Sequence, residues 1–165
     1  MLSHLILILF LIGCSSNHPQ YKTEIILGKI TSENTGGYVK KIDSFQYLCR
    51  NAAEDMLSDL QRYNLPCNTT FLLDIELGYS NHGHIRQSNS LKKKSNFYTL
   101  NYKLQDFKDK EKEFSGTITA IDSFVIPSSS YAYIISSEAS QIAGVSNLVK
   151  QLESEIVYLL HNNCK

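Results

Sequence analysis

The alternation of apolar and polar side chains over residues 70–79 constrains the fold more than any other feature of this chain. Its apolar members stand at every second position: Phe71, Leu73, Ile75, Leu77 and Tyr79. Because successive side chains of an extended strand point to opposite faces, this pattern predicts a strand with one buried face. Residues 96–106 repeat the pattern with Tyr98, Leu100, Tyr102 and Leu104. The two segments therefore predict a long hairpin that needs a covering layer on one side.

Two further segments predict strands, one before and one after this hairpin. Residues 21–31 contain the aliphatic run Ile25-Ile26-Leu27, and Gly36-Gly37 then lets the chain turn. Residues 114–126 place Phe114, Ile118 and Ala120 on one face, and Pro127 ends this segment. The chain therefore supplies four predicted strands.

Two segments have the spacing of amphipathic helices, with apolar side chains at steps of three or four. The first is 43–63, with the apolar face Phe45, Leu48, Ala52, Met56, Leu60 and Tyr63. The second is 138–161, with the apolar face Ile142, Val145, Val149, Leu152, Ile156 and Leu159. We expect Ser136 or Ser137 to cap the start of the second helix. Gly144 within it costs about 1 kcal/mol relative to alanine, and we expect it to allow close contact with the sheet.

The order of the predicted elements is strand, helix, strand, strand, strand, helix. Each helix has one apolar stripe and the middle strands have one apolar face, so both helices must cover the same side of the sheet. The predicted fold class is α+β, a two-layer sandwich with two helices packed on one face of a four-stranded mixed sheet. A chain of 165 residues, 42% of them hydrophobic, suits a single domain, which we place at residues 21–165.

The first residues predict export. Residues 5–12 are all apolar; this run is far shorter than the about 20 residues that span a bilayer and is typical of a signal-peptide hydrophobic region. The following Leu11-Ile12-Gly13-Cys14 resembles the bacterial lipobox, in which the cysteine thiol accepts diacylglycerol. We therefore expect a lipoprotein signal peptide at 1–13, lipid on Cys14 and a short tether at 14–20. The alternative is an ordinary secretory signal that contains a cysteine, and the lack of Lys and Arg in residues 1–4 counts against the lipoprotein interpretation.

Cysteine usage follows from the compartment. With Cys14 lipidated, Cys49, Cys67 and Cys164 remain, and the periplasm allows disulfides. Three is an odd number, so at least one thiol stays free or pairs with another chain. Cys49 has apolar neighbours on a predicted helix, which favours a small buried side chain. Cys67 and Cys164 flank predicted elements and form a candidate disulfide if those ends meet.

Several functional classes are disfavoured. A net charge of zero argues against a general nucleic-acid binder, because phosphates must be neutralised. No Gly-x-Ser-x-Gly or other nucleophile context occurs, so we expect no enzyme and no cofactor. His82-Gly83-His84 could share an ion, but no third ligand with convincing spacing follows, so we expect no metal.

A basic stretch occupies the predicted hairpin tip. No acidic residue occurs between Glu76 and Asp106, whereas the tip carries the basic residues Arg86, Lys92, Lys93 and Lys94. One interpretation is a solvated, solubilising hairpin. The other is a contact surface for an anionic lipid.

Four local patterns occur in a fixed order along the chain: Ile25-Ile26-Leu27 followed by Arg50-Asn51-Ala52 and Asp59-Leu60; residues 71–77 running to Ile85-Arg86; residues 96–104; and Ser130-Tyr131-Ala132 just before the final predicted helix. With this element order, the chain resembles the lipopolysaccharide-assembly lipoprotein (LptE) family, especially its alphaproteobacterial form. The resemblance covers most of the chain after Cys14.

The resemblance implies an outer-membrane lipoprotein, lipid-anchored and facing the periplasm. Members of the family sit inside the lumen of the outer-membrane barrel LptD, assist its assembly and help to deliver lipopolysaccharide to the outer leaflet. The implied partners are LptD, lipopolysaccharide and the membrane, and the basic tip is the implied contact. Ser15, next to Cys14, favours outer-membrane sorting by enterobacterial rules. The alternative role is a lipoprotein adaptor subunit of another envelope machine, such as a secretion or efflux complex.

Overall fold

A computed structural model describes residues 22–34, 42–80, 86–88 and 91–164. The strands are β1 (Glu24–Asn34), β2 (Thr70–Ser80), β3 (Arg86–Ser88), β4 (Leu91–Asp106) and β5 (Glu113–Val125). The helices are α1 (Ile42–Leu60) and α2 (Ser130–Asn163). Residues 1–21 lie outside this description, and with them the predicted signal peptide, the lipid on Cys14 and the tether.

The four long strands form a mixed sheet in the order β1-β2-β4-β5. β1 runs parallel to β2, whereas β4 runs antiparallel to both β2 and β5. The short β3 pairs with the start of β4, where Arg86 lies opposite Lys93. The predicted α+β class, the mixed sheet and the order of elements are confirmed.

The predicted inner face of the sheet is also confirmed. All of the alternating apolar side chains are buried: Phe71, Leu73, Ile75, Leu77 and Tyr79 of β2, and Tyr98, Leu100, Tyr102 and Leu104 of β4. α1 contacts β1, and α2 contacts β4 and β5, so both helices cover this face and close a single core.

β4 begins five residues before the predicted start at residue 96. Its first residues are extended because they have partners on both sides, with Lys93 pairing with Arg86 of β3 and with Val125 of β5. A strand that is hydrogen-bonded on both edges needs no apolar side chain to remain extended. The lysines therefore belong to the sheet and not to a turn.

The buried face of α1 differs by one position from the prediction. Cys49 and Ala53 are fully buried, whereas Leu48 and Ala52 are only partly buried. The small side chains lie deepest because they let the helix backbone approach the sheet. α1 ends at Leu60, and Tyr63, predicted to be part of its apolar face, is 47% exposed in the turn that follows.

α2 begins eight residues before the predicted start. The hydroxyl of Ser129 accepts a hydrogen bond from the amide of Ala132 at 3.4 Å and caps the helix, so the predicted caps Ser136 and Ser137 are wrong. Ser130-Tyr131-Ala132 consequently forms the first turn and does not precede the helix. Ile142, predicted to face the core, is 53% exposed, while Ser140 and Gly144 are buried.

The exposure of Ile142, which was predicted to face the core, has a geometric cause. Phe45, near the start of α1, and Gly144 of α2 both contact the ring of Tyr98. Most of α2 before Gly144 therefore extends past the start of α1. A side chain such as Ile142, which lies on the same stripe as Val149, has no helix to pack against there. Neither α1 nor α2 combines the length and the apolar character that crossing a membrane requires.

The structure joins Cys67 and Cys164 by a disulfide, with their Cα atoms 5.0 Å apart. This bond links the segment before β2 to the end of α2, across 97 residues of sequence. Cys49 is the free cysteine of the described residues and is buried in the core.

Candidate functional site

The site that the sequence predicts lies at one end of the sheet. We call this region the basic end: Lys92, Lys93 and Lys94 of β4, together with their partners in β3 and at the end of β5. It exists because β4 is longer than β2, so that Ser80, the last residue of β2, reaches only to Phe97. The basic end therefore projects beyond the part of the sheet that α1 covers.

Strand alternation divides the three lysines between the two faces of the sheet. Lys94 lies two residues before the buried Asn96 and four before Tyr98, so it stands on the side of the helices, as does Lys92. Lys93 lies on the opposite, uncovered side, at the position paired with Arg86. The structure describes Arg86 by its backbone. The four predicted residues therefore share one end of the sheet but not one face.

Lys94 is held in place by the first turn of α2. Its Nζ donates a hydrogen bond to the hydroxyl of Tyr133 at 2.9 Å and lies 5.6 Å from the centre of that ring. The Tyr133 ring also packs against Phe124 of β5, with the ring centres 5.7 Å apart. A cation near an aromatic ring contributes about 0.5–1 kcal/mol at an exposed site. Lys94 therefore helps to fix the start of α2 on the sheet.

Lys92 and Lys93 are accessible charges of the basic end. Both side chains are exposed. None of the three ion pairs within the described residues includes a lysine of the basic end. Two ammonium groups without a carboxylate partner can bind anionic oxygens such as those of phosphate.

A buried polar network lies beneath the basic end and ties α2 to the sheet. The Tyr79 hydroxyl donates to Oδ1 of Asn96 at 3.2 Å, and Nδ2 of Asn96 donates to the Ser140 hydroxyl at 3.1 Å. Burial raises the pKa of the neighbouring Tyr98 to about 12, although Ser140 and Asn96 act to lower it. Burial also raises the pKa of Tyr79. At neutral pH both phenols are protonated, and the Tyr79 hydroxyl donates the hydrogen bond that begins this network.

The sequence did not reveal an exposed apolar row on the first half of α2. Its members are spaced by three, four or seven residues and share one side of the helix: Tyr131, Ile134, Ile135 and Ile142. Tyr131 is 75% exposed. The row was missed because the helix was predicted to start at residue 138. Ser129, followed by this spacing, was the signal that could have found it.

Cys14, His82 and His84 lie outside the described residues. Among the residues that are described, no group of three or more His, Cys, Asp or Glu side chains is arranged to hold a metal ion.

Comparison with known proteins identifies structural relatives at low sequence identity. No family model matches the chain, and no curated protein is significantly similar to it. A candidate lipoprotein from Caulobacter crescentus is 16% identical, covering 81% of this chain and 90% of its own, with a TM-score of 0.54. A minor lipoprotein from Acinetobacter baumannii is 14% identical, covering 82% and 94%, with a TM-score of 0.53.

A third solved structure has a similar likeness. A candidate homologue of the neuraminyllactose-binding hemagglutinin from Helicobacter pylori is 12% identical, covering 86% of both chains, with a TM-score of 0.55. At these identities the likeness concerns the fold. The two-layer arrangement of helices on a mixed sheet therefore also occurs in bacterial proteins described as lipoproteins.

Proposed function

We propose that this protein is an outer-membrane lipoprotein that assists assembly of the lipopolysaccharide-transport barrel LptD and delivery of lipopolysaccharide to the outer leaflet. In this role the protein would act by binding its partners and by the fit of its shape to them, and it would carry out no covalent chemistry. Three observations support it: the lipobox-like Leu11-Ile12-Gly13-Cys14, the order of elements shared with the resembling family, and the two exposed lysines of the basic end. The exposure of Lys92 and Lys93 without a carboxylate partner among the described residues carries the ligand part of the proposal.

The position of the basic end suits a protein that is anchored at one place and binds at another. β1 begins at Glu24, opposite Thr70, whose neighbour Phe71 pairs with Asp106 at the far end of β4. The 13 residues from Lys93 to Asp106 span about 40 Å in a strand. A lipid on Cys14 and an anionic ligand at the basic end would therefore not compete for the same space.

The expected binding is electrostatic and sensitive to salt. An exposed ion pair contributes only about 0.2–1 kcal/mol, so several pairs must act together on one ligand. The phosphates of lipid A offer several anionic oxygens, so Lys92 and Lys93, on opposite faces of β4, can each contact a different one. Charges in solvent are screened beyond about 8 Å at physiological ionic strength, and binding should weaken as salt is added.

Charge reversal at the basic end tests the ligand. The double variant Lys92→Glu with Lys93→Glu should lose most of its retention on immobilised lipopolysaccharide at low salt. The matched control reverses Lys29 and Lys150, two exposed lysines away from the basic end, and should bind like the unaltered protein. Equal loss in both double variants would mean that net charge, and not the basic end, governs binding.

One observation favours the second role, an adaptor subunit of a secretion or efflux complex. The apolar row of α2 is exposed beyond the start of α1, and an amphipathic helix can dock its apolar side in the groove of a protein partner. The proteins that co-purify separate the two roles, since LptD supports the first and components of a secretion or efflux complex support the second.

A further inference from the structure

The end of the sheet opposite the basic end carries a turn with an exposed aromatic side chain. We call residues 106–112, which join β4 to β5, the anchor-side turn. Phe107 is 67% exposed within it. Lys108, Lys110 and Lys112 alternate with Asp109 and Glu111, and together with the buried Asp106 these charges give the turn no net charge. When lysines follow an exposed phenylalanine, the ring can enter a lipid interface while the lysines reach the headgroups.

The anchor-side turn is held in one conformation by its buried first residue. Oδ1 of Asp106 accepts hydrogen bonds from the Thr69 hydroxyl at 2.9 Å, from the amide of Lys108 at 2.8 Å and from that of Asp109 at 3.2 Å. The amide of Asp106 donates to the carbonyl of Lys112 at 3.0 Å. Because the backbone on both sides of Phe107 is fixed, its exposure is a property of the fold. A preformed contact also loses less entropy on binding.

The anchor-side turn lies beside the point where the chain enters the domain. The amide of Glu24 donates to the carbonyl of Thr69 at 3.2 Å, and the amide of Phe107 donates to the carbonyl of Thr70 at 2.8 Å. Glu24 and Phe107 therefore flank the start of β2, at Thr69 and Thr70, and lie about two strand spacings or 10 Å apart. Nine residues lie between Cys14 and Glu24, so the two Cα atoms are at most about 35 Å apart when the segment is fully extended. A lipid on Cys14 would keep this end of the domain near the bilayer.

We propose that Phe107 and the lysines that follow it rest in the headgroup region of the bilayer that holds the lipid on Cys14. The inference rests on the lipidation in the proposed function and concerns the anchored protein before it meets a partner. One phenylalanine on a turn without net charge binds a membrane only marginally by itself. The tether turns this weak contact into an intramolecular one by raising its effective concentration. The basic end then points away from the bilayer, where a partner can reach it.

The size of the surface favours a bilayer over a protein partner. A stable protein interface buries at least about 1,000 Å² with good complementarity, whereas this turn offers one large apolar side chain among alternating charges. A lipid interface requires no shape complementarity and accepts a single aromatic side chain with lysines around it.

The absence of tryptophan from the chain allows a direct test. Phe107→Trp, in the full lipidated protein reconstituted into vesicles of phosphatidylethanolamine and phosphatidylglycerol, introduces a single fluorophore. The emission of this tryptophan should shift to shorter wavelength, and lipids that carry a nitroxide on the headgroup should quench it. The matched control is Tyr131→Trp, an exposed aromatic position at the start of α2 near the basic end, which should show neither effect.

Two other outcomes would overturn the proposal in distinguishable ways. If the acylated Phe107→Trp variant floats with the vesicles but its indole emits as in water, or if the Tyr131→Trp variant is quenched instead, the orientation is wrong while the anchor stands. If the protein carries no acyl group and does not float with the vesicles, both the anchor and the inference that rests on it are wrong.

Discussion

Gly144 of α2 lies directly against the ring of Tyr98 of β4. A Cβ atom added to Gly144 would come within 2.7 Å of Cδ2 and of Cζ of that ring, closer than real Cβ contacts allow. Phe45 of α1 packs on the same ring, with the ring centres 6.2 Å apart. Tyr98 is therefore the point at which both helices and the sheet meet, and the absence of a side chain at residue 144 lets α2 approach this closely.

Gly144→Ala should destabilise the protein although alanine is the better helix former. The gain in helix propensity is about 1 kcal/mol, whereas overpacking a filled core typically costs about 1–3 kcal/mol. We expect a net loss and a lower urea midpoint, measured by circular dichroism. The control is Asn147→Ala, at an exposed position one turn later on α2. It raises helix propensity without a clash against Tyr98, so it should leave stability unchanged or increase it. A variant at Gly144 as stable as the unaltered protein would show that α2 can move away from Tyr98.

Reduction of the Cys67–Cys164 disulfide should lower the free energy of unfolding. The bond closes a loop across 97 residues, and a loop of this length corresponds to about 4–5 kcal/mol in the chain-entropy description. Urea unfolding with and without reductant measures the difference. Cys67→Ala with Cys164→Ala should reproduce the reduced midpoint and make it insensitive to reductant. An unchanged midpoint on reduction would mean that the ends of α2 and of the segment before β2 stay together without the bond.

Cys49 should resist alkylation in the folded protein. Burial raises the pKa of its thiol to about 12, although the neighbouring Arg50 acts to lower it. Because the thiolate is the reactive form, very little of it is present at about pH 8. Iodoacetamide should therefore label Cys49 in urea but not in buffer, as read by mass spectrometry. Rapid labelling of the folded protein would show that the core of α1 opens.

Asp106 should make stability depend on pH in the acidic range. Burial acts to raise its pKa, but hydrogen bonds from the Lys108 amide, the Thr69 hydroxyl and the Asp109 amide outweigh this and lower it. The folded pKa thus lies below the ordinary value of about 3.9. The contribution of the carboxylate is then fully present above that ordinary value and is lost as pH falls through the folded pKa.

The variant Asp106→Asn tests this linkage. It should lose about 1–3 kcal/mol near neutral pH, the usual range for hydrogen bonds to a charged group, and the difference from the unaltered protein should shrink below about pH 4. Asp109→Asn, in the same turn but exposed, should change stability much less. A loss at residue 106 that stays the same at all pH values would mean that packing, and not charge, holds the turn.

The sequence predicted the sheet well because β2 buries one face completely and β4 buries the same face of the sheet from Asn96 to Asp106. Where a single face is buried, period-two alternation is strong and fixes which side chains point inward. The start of α2 was missed because several serines could cap it, and the choice of Ser129 depends on where Tyr133 meets Phe124 and Lys94. The orientation of Ile142 depends on where α1 begins relative to α2, which is a tertiary relationship that no local pattern encodes.

The sequence predicted which residues form the candidate site but not on which face of the sheet each one lies. Consecutive lysines look like one cluster in the sequence, whereas the extension of β4 to Leu91 places Lys93 on the face opposite to Lys92 and Lys94. Lys94 is also engaged by Tyr133, which the sequence could not reveal because they lie 39 residues apart. The anchor-side turn was not recognised as a site because Phe107 appears in the sequence as an ordinary residue of a charged turn.

We propose that a lipid on Cys14 anchors this domain beside a larger envelope partner, and palmitate labelling combined with affinity purification can test both parts. The tagged full chain is labelled with palmitate in cells and purified from membranes, and its companions are identified by mass spectrometry, with Cys14→Ala as the control. We expect a labelled protein that brings down LptD, and an unlabelled variant that brings down much less. An unaltered chain that takes up no palmitate, or a labelled one that never brings down LptD, would contradict the account.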